Sequence, residues 1–294
     1  MRPLILSLVL LPQIVVGSTC APGVRILSRE RRAPPATGPP PTLPPDLHWA
    51  FTRCGVATVG DFFVDDTRNG KGTHYAHSRK DMESRVAASR TQLERPQPLR
   101  GSSLNAARQV EALKNARVAS KVRGGACVVF GSTAPIVEAL LIAGGAASVL
   151  VVEYNNLTYD HPLVSHAKPD DFAAGAHARF DVAISFSSFD HDGLGRYGDP
   201  LAPDGDLLAM DFLAGFLAPG GLALVSVPVG MDVIWWNLMR EYGPVRLPLL
   251  LEGYHVVDRI GWEQGRLGAM RTKPGPGVPY EPVFILSHES STEL

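Results

Sequence analysis

The feature that most constrains this chain is a series of short apolar runs, each of strand length and set between stretches with helical periodicity. Ala126–Phe130 (ACVVF), Ser148–Glu153 (SVLVVE), Phe180–Ser185 (FDVAIS) and Leu222–Val227 (LALVSV) lack the polar–apolar alternation of a half-exposed strand. Strands of this kind are buried on both faces, as in parallel sheets covered by helices. The intervening chain supplies those helices. Leu104, Val110, Leu113 and Val118 form an apolar face that stops at Gly124-Gly125, and Ile136–Ala143 stops at Gly144-Gly145. Leu207–Leu217 ends before Pro219-Gly220-Gly221, and Asp232–Glu241 also reads as helical. This alternation specifies a parallel sheet with right-handed crossovers. Tyr254–Ile260 and Pro282–Ser287 follow as two strands with no obvious helix between them.

Of the 294 residues, 45% are hydrophobic and 19% charged, which suffices for a real core. Lys plus Arg (28) and Asp plus Glu (29) leave a net charge of −1. A general nucleic-acid binder needs a basic face, so this balance argues against that class. Arg2 followed by the apolar run Leu4–Val16 and small Gly17 predicts a signal peptide over residues 1–17, and a secreted or lumenal protein. An uncleaved anchor and an organelle transit sequence are the alternatives, the latter drawing on Arg25, Arg29, Arg31 and Arg32. Beyond the leader no run approaches the roughly 18 apolar residues of a membrane span.

Residues 18–45 read as a linker, proline-rich over 33–45 (APPATGPPPTLPP). Residues 46–101 read as an N-terminal extension with a helical stretch over Arg79–Glu94, and 102–294 as the α/β domain. Cys20, Cys54 and Cys127 are too few for a disulfide framework, and Cys127, inside a predicted strand, reads as a small buried hydrophobe.

In a doubly wound sheet, ligands bind at the carboxyl ends of the strands. There the chain collects polar residues: Gly131, Ser132 and Thr133 after the first strand, then Glu153, Tyr154 and Asn155, then Ser187 and Ser188. Gly131 permits close backbone approach at a helix start, where unpaired N–H groups face outward. Glu153 stands 153 − 131 = 22 residues further on, the spacing of an acid that grips a nucleotide ribose. An ordinary surface carboxylate has the same spacing, and no G-x-G-x-x-G accompanies it.

The following loop, Ser187–Pro200, holds three acids, a histidine, an arginine and several glycines. Asp190 and His191 read as a general acid/base pair, with Arg196, Tyr197 and Asp199 as substrate contacts. The alternative is a solvated loop in which Asp190 caps a turn and Arg196 pairs with Asp199. Trp235 and Asn237, downstream of the 222–227 strand, are further substrate candidates, although helical aromatics also serve as core. A metal site could draw on His161, Asp190, His191 and Asp192, but their spacing matches no standard ligand motif, so none is expected. Asn156-Leu157-Thr158 is an N-glycosylation sequon. A glycan there would crowd the crevice unless the crevice opens the other way, the sequon is unused or the leader reading is wrong.

SFSSFDHDGLGRYGDPLAPDGDLLAM, VVFGSTAPIVEALLIAGGAASVLVVEYN, PGGLALVSVPVGMDVIWWN and YGPVRLPLLLEGY resemble a domain-of-unknown-function family first described from Caenorhabditis proteins. The resemblance spans roughly Ala126 to Trp262. More broadly, FDVAISFSSFDH and FLAPGGLALVSVP are similar to segments of class I S-adenosylmethionine-dependent methyltransferases. That resemblance implies a Rossmann-like, methyltransferase-type α/β sheet with a reversed last strand. It implies S-adenosylmethionine as cofactor, with Gly131 in the glycine loop, Glu153 as the ribose acid and Ser187–His191 in the loop that flanks the reactive methyl, so that Ser132, Thr133, Asn155 and Ser188 beside them are cofactor-binding candidates. GSTAP stands where that class has G-x-G-x-G, leaving one of the expected glycines. The function expected is methyl transfer to a small-molecule or glycan acceptor, with Asp190 or His191 as base. The alternatives are a cofactor-less binding domain and a metal-dependent sugar-nucleotide transferase built on Asp190, Asp192 and Asp199.

Overall fold

A computed structural model of the chain describes residues 22–25, 27–28, 30–33, 38–68, 72–95, 103–175, 179–269, 275 and 277–288. The predicted signal peptide and Cys20 lie outside them. In chain order the N-terminal part supplies α1 (His48–Phe51), β1 (Thr58–Phe62), β2 (His74–His77) and α2 (Arg79–Glu94). The middle supplies α3 (Leu104–Lys114), α4 (Ala116–Val122), β3 (Ala126–Phe130), α5 (Ile136–Ala143), β4 (Ser148–Val152), β5 (Asn156–Tyr159), β6 (Val164–Ala167), α6 (Pro169–Ala174) and β7 (Phe180–Phe186). The remainder is α7 (Gly205–Phe216), β8 (Leu217–Ser226), β9 (Val233–Asn237), β10 (Met239–Glu241), α8 (Arg246–Leu251), β11 (His255–Ile260) and β12 (Val283–Ser287).

Seven strands form the central sheet in the order β11-β12-β8-β7-β3-β4-β6. All run one way except β12, which is antiparallel to both neighbours. The apolar runs show no alternation because the sheet carries a core on each face. Val129, Val149, Val151, Val182 and Ile184 pack on one side beneath α3, α4 and α5. Val128, Phe130, Ala183, Val225 and Phe284 pack on the other against Phe172, Leu207, Met210 and Leu250 of α6, α7 and α8. Cys127 is free and fully buried within the first of these cores.

Three readings of the sequence are corrected by tertiary structure. Asp232–Glu241 is no helix but the strand pair β9–β10. Its β-branched and aromatic residues suit a pleated surface, and β9 pairs in parallel with β1, 233 − 58 = 175 residues away in register Thr58↔Val233. The apolar stretch 104–118 is two helices, because the Asn115 side chain accepts from Arg117 N–H (3.0 Å) and starts a new one. The segment between β4 and β7, for which no element was expected, holds β5, β6 and α6. The described part of the proline-rich tract is docked: Leu43 is buried, and the Pro40 carbonyl accepts from Trp236 Nε1 at 3.0 Å. Leu43 joins Leu47, Phe51, Leu194, Leu201, Ile234 and Trp236 in a third core that fixes the loop after β7. Among the described residues no helix is long and apolar enough to cross a membrane.

Candidate functional site

The strand order reverses at β3, with β4 on one side and β7 on the other, and a cleft of about 820 Å³ opens at their carboxyl ends. Gly131 leaves β3 at φ +71°, a left-handed conformation natural to glycine. A Cβ there would overlap the Ser188 hydroxyl, so Gly131 lets the ends of β3 and β7 meet. Across the cleft Glu153 is 7% exposed, and its Oε1 accepts from Asn155 N–H (2.8 Å) and Nδ2 (2.9 Å). No described residue donates to its Oε2. Asn155 Oδ1 in turn accepts from Thr73 N–H at 2.9 Å, which ties the N-terminal part to the rim.

The loop after β7 is held from within. Asp199 is 2% exposed, and its carboxylate accepts from Gly193 and Gly195 N–H at 2.8 and 3.1 Å, and from Tyr197 N–H at 3.3 Å. Arg196 Nε donates to Asp66 at 2.7 Å and its guanidinium lies over Tyr197. His191 Nδ1 lies 2.6 Å from the Leu238 carbonyl, and Nε2 lies 3.5 Å from Asp190 Oδ2. A carbonyl can only accept, so Nδ1 carries the proton and Nε2 is unprotonated in the neutral ring. Burial, aided by Arg196, holds the His191 pKa down to about 4.

Beneath the cleft floor lies a buried pair of acids. Neither Asp190 carboxyl oxygen has a hydrogen-bond partner among the described residues, and burial pushes its pKa up to about 7. Glu281 accepts from Ser187 Oγ (3.0 Å) and Asn105 Nδ2 (3.0 Å), and burial together with Asp190 lifts it to about 7 as well. Ser187 itself sits at φ +52°, a conformation a serine adopts only when its surroundings enforce it. Asp192 faces the cleft, and burial with Asp199 nearby keeps its carboxyl well above the usual range.

The structure therefore brings Gly131, Thr133, Glu153, Asn155, Ser187 and Ser188 to one cleft. His191, Arg196, Tyr197 and Asp199 line its other side. Ser132 turns its hydroxyl onto the Ala134 carbonyl (3.1 Å), and Asp190 is under the surface rather than on it. Trp235 and Asn237 lie off the cleft, consistent with the strand that replaces the expected helix. Trp235 Nε1 donates to Glu241, and Asn237 Oδ1 accepts from Val64 N–H. Among the described residues no group of three His, Cys, Asp or Glu side chains is arranged to hold a metal ion. Arg31, Asp66, Arg68 and Tyr75 also line the cleft, with no local signal to mark them. Glu281 is equally unmarked, since only the return of β12 beside β8 carries it behind Ser187.

The model of the family described as "Caenorhabditis protein of unknown function, DUF268" matches residues 124–271, half of the chain. The chain belongs to this family. The matched segment runs from just before β3 to beyond β11, and so takes in Gly131, Glu153 and the whole Ser187–Asp199 loop. The family region leaves out Glu281 and the N-terminal residues that close the rim. Among solved structures, the N-methyltransferase NodS from Bradyrhizobium japonicum WM9 in complex with S-adenosyl-L-homocysteine aligns at 14% identity and TM-score 0.41, over 69% of this chain and 96% of that one. Ribosomal protein L11 methylase from Lactobacillus delbrueckii subsp. bulgaricus aligns at 14% identity and TM-score 0.37, over 65% and 81% respectively. No protein of curated function matches the sequence.

Proposed function

We propose that the cleft binds S-adenosylmethionine and that the protein transfers its methyl group to a small-molecule or glycan acceptor. One observation carries the reading: Gly131 and Glu153 end adjacent parallel strands at the switch point, face one cleft, and leave Glu153 Oε2 open to a ligand. The sheet order, with its single reversed strand β12, suits a methyltransferase-type fold. Bound there, S-adenosylmethionine would supply an electrophilic methyl group on its sulfonium sulfur. Glu153 Oε2 would accept from the ribose hydroxyls, while Gly131, Thr133 and Ser188 would border the amino-acid part. Arg196 and Tyr197 would line the acceptor side. His191 would stand at the reacting centre above Asp190, its tautomer fixed by Leu238 so that Nε2 is the unprotonated nitrogen of the pair. Positioning of this kind is most of what methyl transfer asks of a protein.

A ligand held at 100 times its Kd stabilises the folded chain by about 2.7 kcal/mol. S-adenosylhomocysteine should therefore raise the melting temperature by several degrees, and adenosine by less. No rise with either ligand would remove the reading. One observation favours a second reading, a cofactor-less binding domain: Ser188 fills the space above the one glycine of the GSTAP loop. That domain would show no nucleoside-dependent shift. The metal-dependent transferase has less support, because Asp199 is committed to loop N–H groups and Asp190 is buried below the cleft.

A further inference from the structure

Two asparagines stand side by side at the start of β5, and the fold treats them oppositely. Asn155 is buried, with its amide shared between Glu153 and Thr73. Asn156 is exposed, and its side-chain amide makes no hydrogen bond to any described residue. β5 alternates along its length, so Leu157 enters the core at 6% exposed while Asn156 and Thr158 share the outer face. These two residues are the first and third positions of the only N-x-S/T sequence in the chain.

We propose that Asn156 is an N-glycosylation site. In the transfer, Asn156 Nδ2 forms a bond to the anomeric carbon of a lipid-diphosphate-linked oligosaccharide as the bond from that carbon to the phosphate oxygen breaks. The lipid diphosphate leaves with the electron pair, and the amide proton passes to a base on the transferring enzyme. The crowding expected from the sequence does not arise. Tyr154 and Asn155 line the cleft, whereas Asn156 and Thr158 do not, so the sugar would stand outside the rim. The only polar contact of the Thr158 hydroxyl among the described residues is His74 Nε2 at 3.3 Å, on the same exposed face. Cys54 is disulfide-bonded, and such bonds persist in the oxidising compartments where this transfer takes place. The leader expected over residues 1–17 would supply the route there.

The test expresses the full chain, leader included, in cultured eukaryotic cells and treats the recovered protein with a peptide N-glycosidase. Digestion should give one downward step in gel mass and convert Asn156 to aspartate in the peptide mass spectrum. The step should vanish in Asn156→Gln and Thr158→Ala and persist in Thr158→Ser. Should Asn156→Gln fail to accumulate, the two Thr158 variants and the native peptide spectrum still decide the matter. An unmodified Asn156 in native protein, from whichever compartment it is recovered, would overturn the assignment. So would a mobility step that survives Asn156→Gln.

Discussion

At the scale of single residues, Gly131 and Asp190 set the terms of the cleft. A side chain at Gly131 would face both a left-handed backbone and the Ser188 hydroxyl. Gly131→Ala should therefore cost about 1–3 kcal/mol in denaturant unfolding, with Ser188→Ala recovering the steric share alone. Full recovery would mean the backbone conformation is not strained by a side chain. Asp190 binds its proton more tightly in the folded chain, at about 7 against 3.8. Between those values the folded state holds more protons than the unfolded one, so this group makes stability fall as pH rises through the interval and level off above it. His191, lowered to about 4 from 6.5, contributes the opposite slope, with its share of stability growing as pH rises from 4 to 6.5. Comparing the native chain with Asp190→Asn isolates the first effect. The variant should gain on the native protein from about pH 4 upward, by up to ~4 kcal/mol above pH 7 at about 1.4 kcal/mol per pKa unit. Urea unfolding across that range reads it, and a difference that does not change with pH would contradict the burial of an unpaired carboxyl.

At the scale of elements, a buried ionic cluster joins pieces of chain that the sequence keeps far apart. Asp206, in the first turn of α7, accepts from Arg246 and from the Tyr242 hydroxyl (2.8 Å), with Arg240 Nε 3.6 Å away. Next to it Asp204 pairs with Arg53 at 3.0 Å, which brings in the end of α1. Burial alone would raise the Asp206 pKa, but Arg240 and Arg246 outweigh it and bring it to about 2. Removing one partner from such a cluster strands the others, so Asp206→Asn should lose about 3–5 kcal/mol at neutral pH. A loss under about 1 kcal/mol would show the cluster to be solvated. Elements of this kind were not legible in the sequence, because their partners are remote. β9 looked helical until β1 was beside it, and the proline-rich tract looked like a spacer until Pro40 met Trp236. By contrast, the helices at Ile136–Ala143 and around Arg79–Glu94 were readable, since stop signals and periodicity are local.

At the scale of the whole molecule, the parallel sheet follows from apolar runs that need cover on both faces, and these are written in the chain directly, whereas the reversed β12 was expected from the resemblance and the missing helix before it. The position of the cleft follows too, because strand ends at the switch point collect the residues that leave β3, β4 and β7. The closure of the cleft does not. Arg31, Asp66 and Arg68 arrive on a segment whose docking depends on Leu43, Leu47 and Phe51 packing beside β9. The central claim, that this assembly holds a nucleoside through Glu153, is tested most directly by calorimetric titration with S-adenosylmethionine and S-adenosylhomocysteine, native protein beside Glu153→Ala. The expected result is micromolar binding by the native chain, lost in a variant that remains folded. Absence of heat at millimolar ligand, from folded native protein, would contradict the account and leave a binding domain that does not use the cofactor.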